Sequence, residues 1–191
     1  MSGIGAFILA AGEGRRLRPA TLVRPKALVP FCGVPLLELV ASYLHELGLG
    51  EIVVNASYQG DRVLEACRRL SYEHGWDLKV SLEARLLNQG GGLRQGVKLL
   101  PEVEHFLVHN VDVILDYDLQ QLIDRHFAAK ADVTVLLVPG KGPCTVSLTP
   151  EGEIRNFRDP EHGCLTFSGI HVFNRKVLDF LDDEEDRKSV V

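Results

Sequence analysis

The sequence predicts an α/β fold, with a three-layer, doubly wound and mainly parallel sheet and a small antiparallel elaboration near the C-terminus. Through residue 138, short apolar runs alternate with segments whose apolar residues recur at helical spacing. That alternation builds a parallel sheet covered by helices on both faces. Beyond Pro139 the helical spacing gives way to short strand-like segments separated by turn residues, and this change predicts the antiparallel part.

The first strand and the first helix show the two patterns most clearly. Residues 4–10 form an unbroken apolar run, which is typical of a strand buried on both faces. Apolar residues at positions 36, 37, 40, 43, 44 and 47 then mark one face of a helix that Gly48 closes. The further expected elements are strands at 52–54, 80–82, 106–108 and 133–138, and helices at 63–70, 91–100 and 119–127.

The pattern after Pro139 is different. Residues 145–148 and 153–157 predict an antiparallel hairpin, because Thr-Pro-Glu-Gly separates them. A further strand is expected at 165–173, and apolar residues from 177 begin a helix. No repeat or low-complexity linker interrupts the sequence, so residues 1–191 are expected to form one domain.

Composition excludes several classes of protein. The 191 residues carry a formal net charge of −5, and this acidic balance argues against a nucleic-acid partner, since such proteins usually have a basic surface. No apolar run approaches the roughly 20 residues of a membrane helix. The N-terminus lacks the basic start and cleavage site of a signal peptide. We therefore expect a cytoplasmic protein with neither a nucleic-acid nor a membrane partner.

The four cysteines are too far apart in sequence to indicate a metal cluster or a disulfide framework. They are expected to be reduced and mostly buried thiols. They stand at Cys32, Cys67, Cys144 and Cys164.

The charges are segregated along the chain. Residues 182–186 hold five of the 26 acidic residues, and the remainder of the chain has equal numbers of acidic and basic residues. The acidic run is expected to be a solvated helix end. Five cations lie close together from Arg15 to Lys26 with no acid among them, and this concentration predicts a site that binds an anion.

The loop after the first strand carries these cations. Ligands of doubly wound sheets bind beyond the carboxyl ends of the strands, and Gly12 and Gly14 let backbone amides approach a phosphate. The dinucleotide-binding fingerprint does not fit, because Leu17 replaces its third glycine and Asn55 replaces its strand-ending acid. The P-loop does not fit either, because Gly-Lys-Ser/Thr is absent.

The same loop resembles the signature of the sugar-1-phosphate nucleotidylyltransferases, also called nucleoside-diphosphate-sugar pyrophosphorylases. Residues 9–19 match Leu-Ala-Ala-Gly-x-Gly-x-Arg-Leu-x-Pro, and Pro25-Lys26 match the following Pro-Lys. The resemblance continues through residues 28–37, the triple glycine 90–92, Asn110-Val111-Asp112 and Phe167-Ser168-Gly169-Ile170. It is closest to compact bacterial enzymes that act on N-acetylmuramate, mannose or heptose 1-phosphate, and it implies a Rossmann-like nucleotidyltransferase fold.

This resemblance implies an enzyme that joins a nucleoside triphosphate to a sugar 1-phosphate, giving a nucleotide sugar and pyrophosphate. In it, Arg16 would hold the triphosphate and stabilise the departing pyrophosphate. Lys26 would bridge the α-phosphate and the sugar phosphate, and Asp112 would bind Mg²⁺. An alternative for Asp112 is a cap of the following turn, because two more aspartates are near.

The resemblance also implies the remaining substrate contacts. Backbone amides around the two loop glycines would hold the phosphates, and the triple glycine would lie against the base with Gln89 at its edge. A plain helix N-terminus is the alternative for these glycines. Asn55 and Glu83, which end two strands, are further pocket candidates. The implied nucleotide-binding residues are Leu9, Ala10, Ala11, Gly12, Gly14, Gln89, Gly91, Gly92 and Asn110, and the implied sugar-binding residues are Ser168 and Gly169.

The sequence departs from the family at two places. Val111 stands where glycine is usual, so its side chain must turn away from the ligand. The second metal-binding aspartate, usually in a Trp-x-Asp-x-Gly-like segment, is absent. This absence favours a domain truncated at its C-terminus over a second metal ligand supplied by another group.

Two functions remain open from the sequence. One is the nucleotidyltransferase, acting as a monomer or homo-oligomer on a nucleotide and sugar that the sequence does not choose. The other is a catalytically silent module that binds a nucleotide or sugar phosphate for regulation. Arg16, Lys26 and Asp112 favour the enzyme, whereas the missing aspartate segment favours the module.

Overall fold

The structure is a computed structural model that describes residues 3–180, except for the side chain of Asn88. The predicted acidic run at 182–186 lies outside the described residues. The strands are β1 Ile4–Leu9, β2 Pro30–Phe31, β3 Val34–Pro35, β4 Glu51–Ala56, β5 Asp77–Leu82, β6 His105–Asn110, β7 Val133–Pro139, β8 Ser147–Leu148, β9 Ile154–Asn156 and β10 Leu165–Asn174. The helices are α1 Ala20–Val23, α2 Leu36–Glu46, α3 Gly60–His74, α4 Asn88–Gly96 and α5 Leu119–Ala129.

Six strands form the main sheet, in the order β5-β4-β1-β6-β10-β7. Strands β5, β4, β1 and β6 are mutually parallel, whereas β10 is antiparallel to both of its neighbours. The predicted mainly parallel sheet is therefore confirmed. The predicted hairpin is also present, as the two-stranded antiparallel sheet of β8 and β9.

Helices cover both faces of the sheet, which confirms the three layers. One face of β1 and β4, including Ile8 and Val54, packs against apolar residues of α2, α3 and α5. The opposite face, including Phe7 and Val53, packs against α4 and the 3₁₀ turn that follows it. Helix α4 lies close to β1 because Gly96 has no side chain: a Cβ there would come 2.5 Å from the Phe7 ring.

Three predicted elements differ in detail, and the short elements α1, β2 and β3 were not predicted. The third long helix begins at Asn88 rather than at position 91 and ends in a 3₁₀ turn. The segment from 177 belongs to a 3₁₀ turn, Arg175–Phe180. The strand predicted at 165–173 is not part of the small antiparallel elaboration, since it is inserted into the main sheet. This strand fits inside the main sheet because both of its faces are apolar: Ile170 and Val172 pack on one face and Phe173 packs on the other.

The prediction of mostly buried thiols is wrong. All four cysteines are free, but only Cys67 is buried, on the inward face of α3. Cys32 is exposed because it lies in the turn between β2 and β3, where its φ is +50°. Across residues 3–180, the structure contains no helix with the length and apolar character to cross a membrane.

Candidate active site

The carboxyl ends of four parallel strands meet at one edge of the sheet. Leu9, the last residue of β1, pairs with Asn55 of β4 on one side and with Asn110 of β6 on the other. Asn55 pairs in turn with Ser81 of β5. This register brings together segments that the sequence analysis singled out separately, because loops that follow neighbouring parallel strands leave the sheet at the same edge.

Residues 9–14, here called the phosphate loop, are anchored at their start. Leu9, Ala10 and Ala11 are buried. The amide of Ala10 donates a hydrogen bond to Oδ1 of Asn55 at 2.7 Å, and the amide of Ala11 makes a longer one to the same oxygen at 3.4 Å. The turn out of β1 is therefore fixed by a side chain of the neighbouring strand.

Gly14 is required by its backbone and by its surroundings. Its φ of +64° is in the left-handed region, and a Cβ would come 2.8 Å from Cβ of Lys26. The hydroxyl of Thr21 donates to the carbonyl of Gly14 at 2.9 Å, which closes the loop. A Cβ on Gly12 would lie 3.7 Å from Cε of Lys26, so the loop folds directly over this lysine.

Lys26 contacts Asp112 across the site. Nζ of Lys26 lies 3.4 Å from Oδ1 of Asp112, and the two side chains are 12% and 24% exposed. The helix that follows, α5, is capped by Asp118, which accepts a hydrogen bond from the amide of Gln120. Val111 is fully buried in the core, so its side chain turns away from the site as predicted.

The cationic loop is partly neutralised by acids of the chain itself. Glu13, immediately before the cations, pairs with Nε of Arg15 at 2.7 Å and with Arg18 at 3.8 Å. The hydrogen bond from Arg15 lowers the pKa of Glu13. Within residues 3–180, only Arg16 and Arg24 of the five cations lack an acidic partner at ion-pair distance. Sequence analysis missed Glu13, although its place two residues before Arg15 was visible.

The sugar-side segment reaches the site through a bulge in β10. The register with β7 shifts between Phe167 and His171, and the hydroxyl of Ser168 accepts a hydrogen bond from the amide of Ile170 at 3.1 Å. Gly169 has φ +90°, and a Cβ there would come 2.5 Å from Nδ2 of Asn110. The bulge thus places Ser168 and Gly169 beside Asn110, on the side of β6 away from the phosphate loop.

A buried pair of polar side chains connects the phosphate loop to the start of α4. Nδ2 of Asn55 donates to Oε1 of Glu83 at 2.7 Å, and the amide of Leu87 donates to Oε2 of Glu83 at 2.9 Å. Burial raises the pKa of Glu83. The sequence analysis named both side chains only as pocket candidates, because their hydrogen bonds cross between strands and leave no local pattern.

The triple glycine lies at the first turn of α4, and its members differ in surroundings. Gly92 is buried, and a Cβ there would come 2.6 Å from Oε1 of Glu83 and 2.7 Å from Nδ2 of Asn55. Gly91 is half-buried and Gln89 is exposed. The need for glycine at position 92 is therefore explained by packing on the Asn55–Glu83 pair, whereas the base contacts expected of this segment stay a prediction.

Asp112 offers a carboxylate to a metal ion at this site. Among residues 3–180 there is no group of three or more His, Cys, Asp or Glu side chains that could enclose a metal. Mg²⁺ is commonly held by one or two carboxylates together with waters and substrate phosphates. Asp112, partly exposed beside the phosphate loop, fits that donor set.

Comparisons with known proteins give matches over most of this chain. A family model described as nucleotidyl transferase matches residues 5–190. A mannose-1-phosphate guanylyltransferase of Mycobacterium tuberculosis is 31% identical over 183 residues, covering 92% of this chain and 50% of that protein. A mannose-1-phosphate guanyltransferase beta-A of Xenopus laevis is 31% identical over 182 residues, covering 91% and 51%. The chain thus spans about half the length of these curated relatives.

Among solved structures, HddC from Yersinia pseudotuberculosis, crystallised with GMP-PN, superposes with a TM-score of 0.76 at 20% identity. The match covers 97% of this chain and 86% of that one. At this identity the likeness establishes the fold, and it confirms the predicted Rossmann-like nucleotidyltransferase architecture.

Proposed function

The chain belongs to the nucleotidyl transferase family, and from this premise we propose that it joins a nucleoside triphosphate to a sugar 1-phosphate with release of pyrophosphate. GTP and mannose 1-phosphate are the first pair proposed, because relatives at 31% identity carry the name mannose-1-phosphate guanylyltransferase. Residues 1–191 are proposed to form a single nucleotidyltransferase domain. We propose the cytoplasm as its compartment, because nucleoside triphosphates are available there.

The observation that carries the proposal is the contact between Lys26 and Asp112 beneath the phosphate loop. In the proposed reaction, an oxygen of the sugar phosphate attacks the α-phosphorus of the triphosphate. The bond from the α-phosphorus to the oxygen it shares with the β-phosphate breaks, and pyrophosphate leaves with its electron pair. In such a displacement the protein mainly positions the reactants and neutralises their charge. The charged side chains of Lys26 and Asp112 lie where the loops after β1 and β6 meet.

Two cations have separate tasks in this proposal. Arg16 is exposed and has no acidic partner among residues 3–180, so it is free to bind the β- and γ-phosphates and the departing pyrophosphate. Lys26 is mostly buried and held beneath the loop. From there its compact ammonium would bridge the α-phosphate and the incoming sugar phosphate. Amides around Gly12 and Gly14 would donate to the phosphate oxygens.

Asp112 is the residue proposed to hold Mg²⁺. When bound, the ion would neutralise oxygens of the triphosphate. The chain's own part is to present the Asp112 carboxylate just beyond the end of β6, 3.4 Å from Nζ of Lys26.

The remaining predicted residues are assigned to the two ends of the substrates. Gln89 and Gly91 stand at the exposed start of α4, where a base would lie. Ser168 and Gly169 stand on the opposite side of the phosphate loop, where the sugar would lie, and Asn110, assigned to the nucleotide, stands beside Gly169.

The test is pyrophosphate release by the chain with Mg²⁺, GTP and a panel of sugar 1-phosphates that includes mannose, glucose, heptose and N-acetylmuramate 1-phosphate. Mass spectrometry would identify the nucleotide sugar formed. ATP, CTP, UTP and dTTP would be tested in parallel. Turnover with any pair supports the proposal, whereas nucleotide binding without turnover by this chain and by a longer one would support the regulatory module.

A further inference from the structure

Asn55 and Glu83 connect two loops that the proposed function assigns to opposite ends of the nucleotide. On one side, Oδ1 of Asn55 accepts the amide of Ala10 at 2.7 Å, within the phosphate loop. On the other side, Oε2 of Glu83 accepts the amide of Leu87 at 2.9 Å. Leu87 precedes α4 and begins residues 87–92, the start of this helix, here called the base loop. The hydrogen bond between the two side chains, 2.7 Å long, completes the connection.

The donors around this pair fix the orientation of both groups. The amides of Ala10 and Ala11 both point at one atom of the Asn55 side chain, and that atom must be its oxygen because only the oxygen accepts. The amide nitrogen of Asn55 therefore faces Glu83 and donates. Glu83 in turn meets two donors, one at each of its oxygens.

A carboxylate satisfies both donors at position 83, because each of its two oxygens accepts a hydrogen bond. A glutamine would place its own NH₂ group against either the Asn55 amide or the Leu87 amide. Glu83 is 5% exposed and Asn55 is 2% exposed, so an unmatched donor there finds no water in compensation. Among the described residues, no cation lies within ion-pair distance of Glu83.

The first turn of α4 packs directly on the Asn55–Glu83 pair. The absence of a side chain on Gly92 lets the first turn of α4 rest directly on Oε1 of Glu83 and Nδ2 of Asn55. Leu87 immediately precedes this helix, so its hydrogen bond to Glu83 fixes where α4 starts. The hydrogen bonds of Asn55 and Glu83 thus join the base loop directly to the phosphate loop, whereas Gln95 ties α4 separately to β5 through Ser81 and Leu82.

We propose that Asn55 and Glu83 are positioning residues that set the separation of the phosphate loop and the base loop, so that the triphosphate and the base of one nucleotide are bound together. This inference rests on the proposed function. A nucleotide gains from both loops at once only when their spacing matches its length, which is the advantage of a preorganised site. Neither side chain is assigned a contact with substrate.

The test exchanges the two chemical groups. Asn55→Asp alone sets two carboxylates against each other, and Glu83→Gln alone sets two donors against each other. The double variant with both changes restores every bond: one oxygen at position 55 accepts from the phosphate loop and the other from the new NH₂ at position 83. The carbonyl at position 83 then accepts from Leu87. Its formal charge equals that of the unchanged protein, so it is a matched control for both single variants.

Two ligands distinguish the contributions of the two loops to binding. Calorimetry with Mg²⁺ would measure the Kd of inorganic tripolyphosphate and the Kd of GTP. If ATP, CTP, UTP or dTTP binds the unchanged chain more tightly than GTP, that nucleotide is used instead. Glu83→Gln is expected to weaken nucleotide binding about tenfold, the effect of one buried hydrogen bond to a charged group. The Kd of tripolyphosphate, which has no base to reach the base loop, is expected to change less than about twofold. The double variant should bind the nucleotide within about threefold of the unchanged chain.

The outcomes are distinct. A purely structural role predicts equal losses for both ligands together with a fall in Tm, and it would overturn the inference. Unchanged nucleotide affinity in Glu83→Gln, or a double variant no better than the single ones, would also overturn it. If the unchanged chain bound no nucleotide, the proposed function would fail and this inference with it. Hydrogen exchange at the Leu87 and Ala10 amides, faster in the single variants and restored in the double, reports the bonds without any ligand.

Discussion

Nζ of Lys26 lies 3.4 Å from Oδ1 of Asp112, although 86 residues separate them in the sequence. The lysine comes from the segment that follows the phosphate loop, and the aspartate comes from the end of β6. They meet because β1 and β6 are neighbours in register, with Leu9 opposite Asn110. Two motifs that resembled a known family separately are thus brought together by the strand order.

Asp112→Asn is expected to lower Mg²⁺-dependent turnover about 100-fold or more, because an amide replaces the carboxylate that is proposed to hold the metal. Pyrophosphate release at saturating substrates measures it. Asp116→Asn is the matched control, since Asp116 is exposed on the loop that follows. Equal rates in the unchanged chain and Asp112→Asn would contradict the assignment.

Arg16→Ala is expected to weaken binding of the triphosphate by about 10- to 100-fold, the range of a lost charge-assisted hydrogen bond. Arg15→Ala is the control, because Arg15 is already paired with Glu13 and is expected to have little effect. Titration calorimetry with the nucleotide and with pyrophosphate measures both variants. A larger loss for Arg15→Ala than for Arg16→Ala would reverse the assignment of the two arginines.

Gly169→Ala tests the bulge beside Asn110. The alanine would meet two obstacles, the strain of φ +90° and a contact of 2.5 Å with Nδ2 of Asn110. Gly152→Ala has nearly the same φ, +87°, but nothing lies within 4 Å of its Cβ. The control is expected to cost about 1 kcal/mol of unfolding free energy, from strain alone.

Gly169→Ala is expected to cost about 1–3 kcal/mol more than this control. It should also raise the KM for the sugar 1-phosphate, because Asn110 must move. Chemical denaturation and initial rates measure these two effects. Equal costs for the two glycine variants would mean that the Asn110 contact relaxes without consequence.

His109 makes stability depend on pH. It is 3% exposed in β6, and burial lowers its pKa to about 4 from the usual 6.5. The unfolded chain therefore takes up a proton below pH 6.5 that the folded chain refuses until about pH 4. The free energy of unfolding is expected to fall between these values as the pH is lowered, by about 2 kcal/mol at pH 4.5 from this group.

His109→Gln removes that contribution. Its free energy of unfolding, measured by denaturant at pH 7.0, 5.5 and 4.5, should depend less steeply on pH than that of the unchanged chain. The difference between the two slopes isolates His109 from the other titrating groups. Parallel slopes would show that the buried imidazole is protonated without cost.

Most of the fold could be predicted from the sequence because its signals are local. The apolar run of β1 and the spaced apolar residues of α2 encode burial on both faces or on one, and both elements are present. The position of β10 could not be predicted this way. Its apolar pattern indicates a strand. Its place between β6 and β7 depends on how all the strands of the sheet pair with one another.

In the candidate site, too, the local features could be predicted from the sequence and the contacts between side chains could not. The glycines and cations after β1 could be recognised from the sequence, since a phosphate loop is short and continuous. The sequence could not show that Glu13 neutralises Arg15, since pairing depends on rotamers. It also could not show that Asn55 and Glu83 bond each other, since a strand-ending polar side chain can face either a ligand or a neighbouring strand.

The sequence by itself determined the order of the long strands and helices and the position of the phosphate loop. The tertiary structure alone decided which residues of the site touch: Lys26 with Asp112, Gly169 with Asn110, and Gly92 with the Asn55–Glu83 pair. The physical reason is that periodicity and turn chemistry act over a few residues. Contacts between loops instead depend on strand order and register, which only the packed sheet fixes.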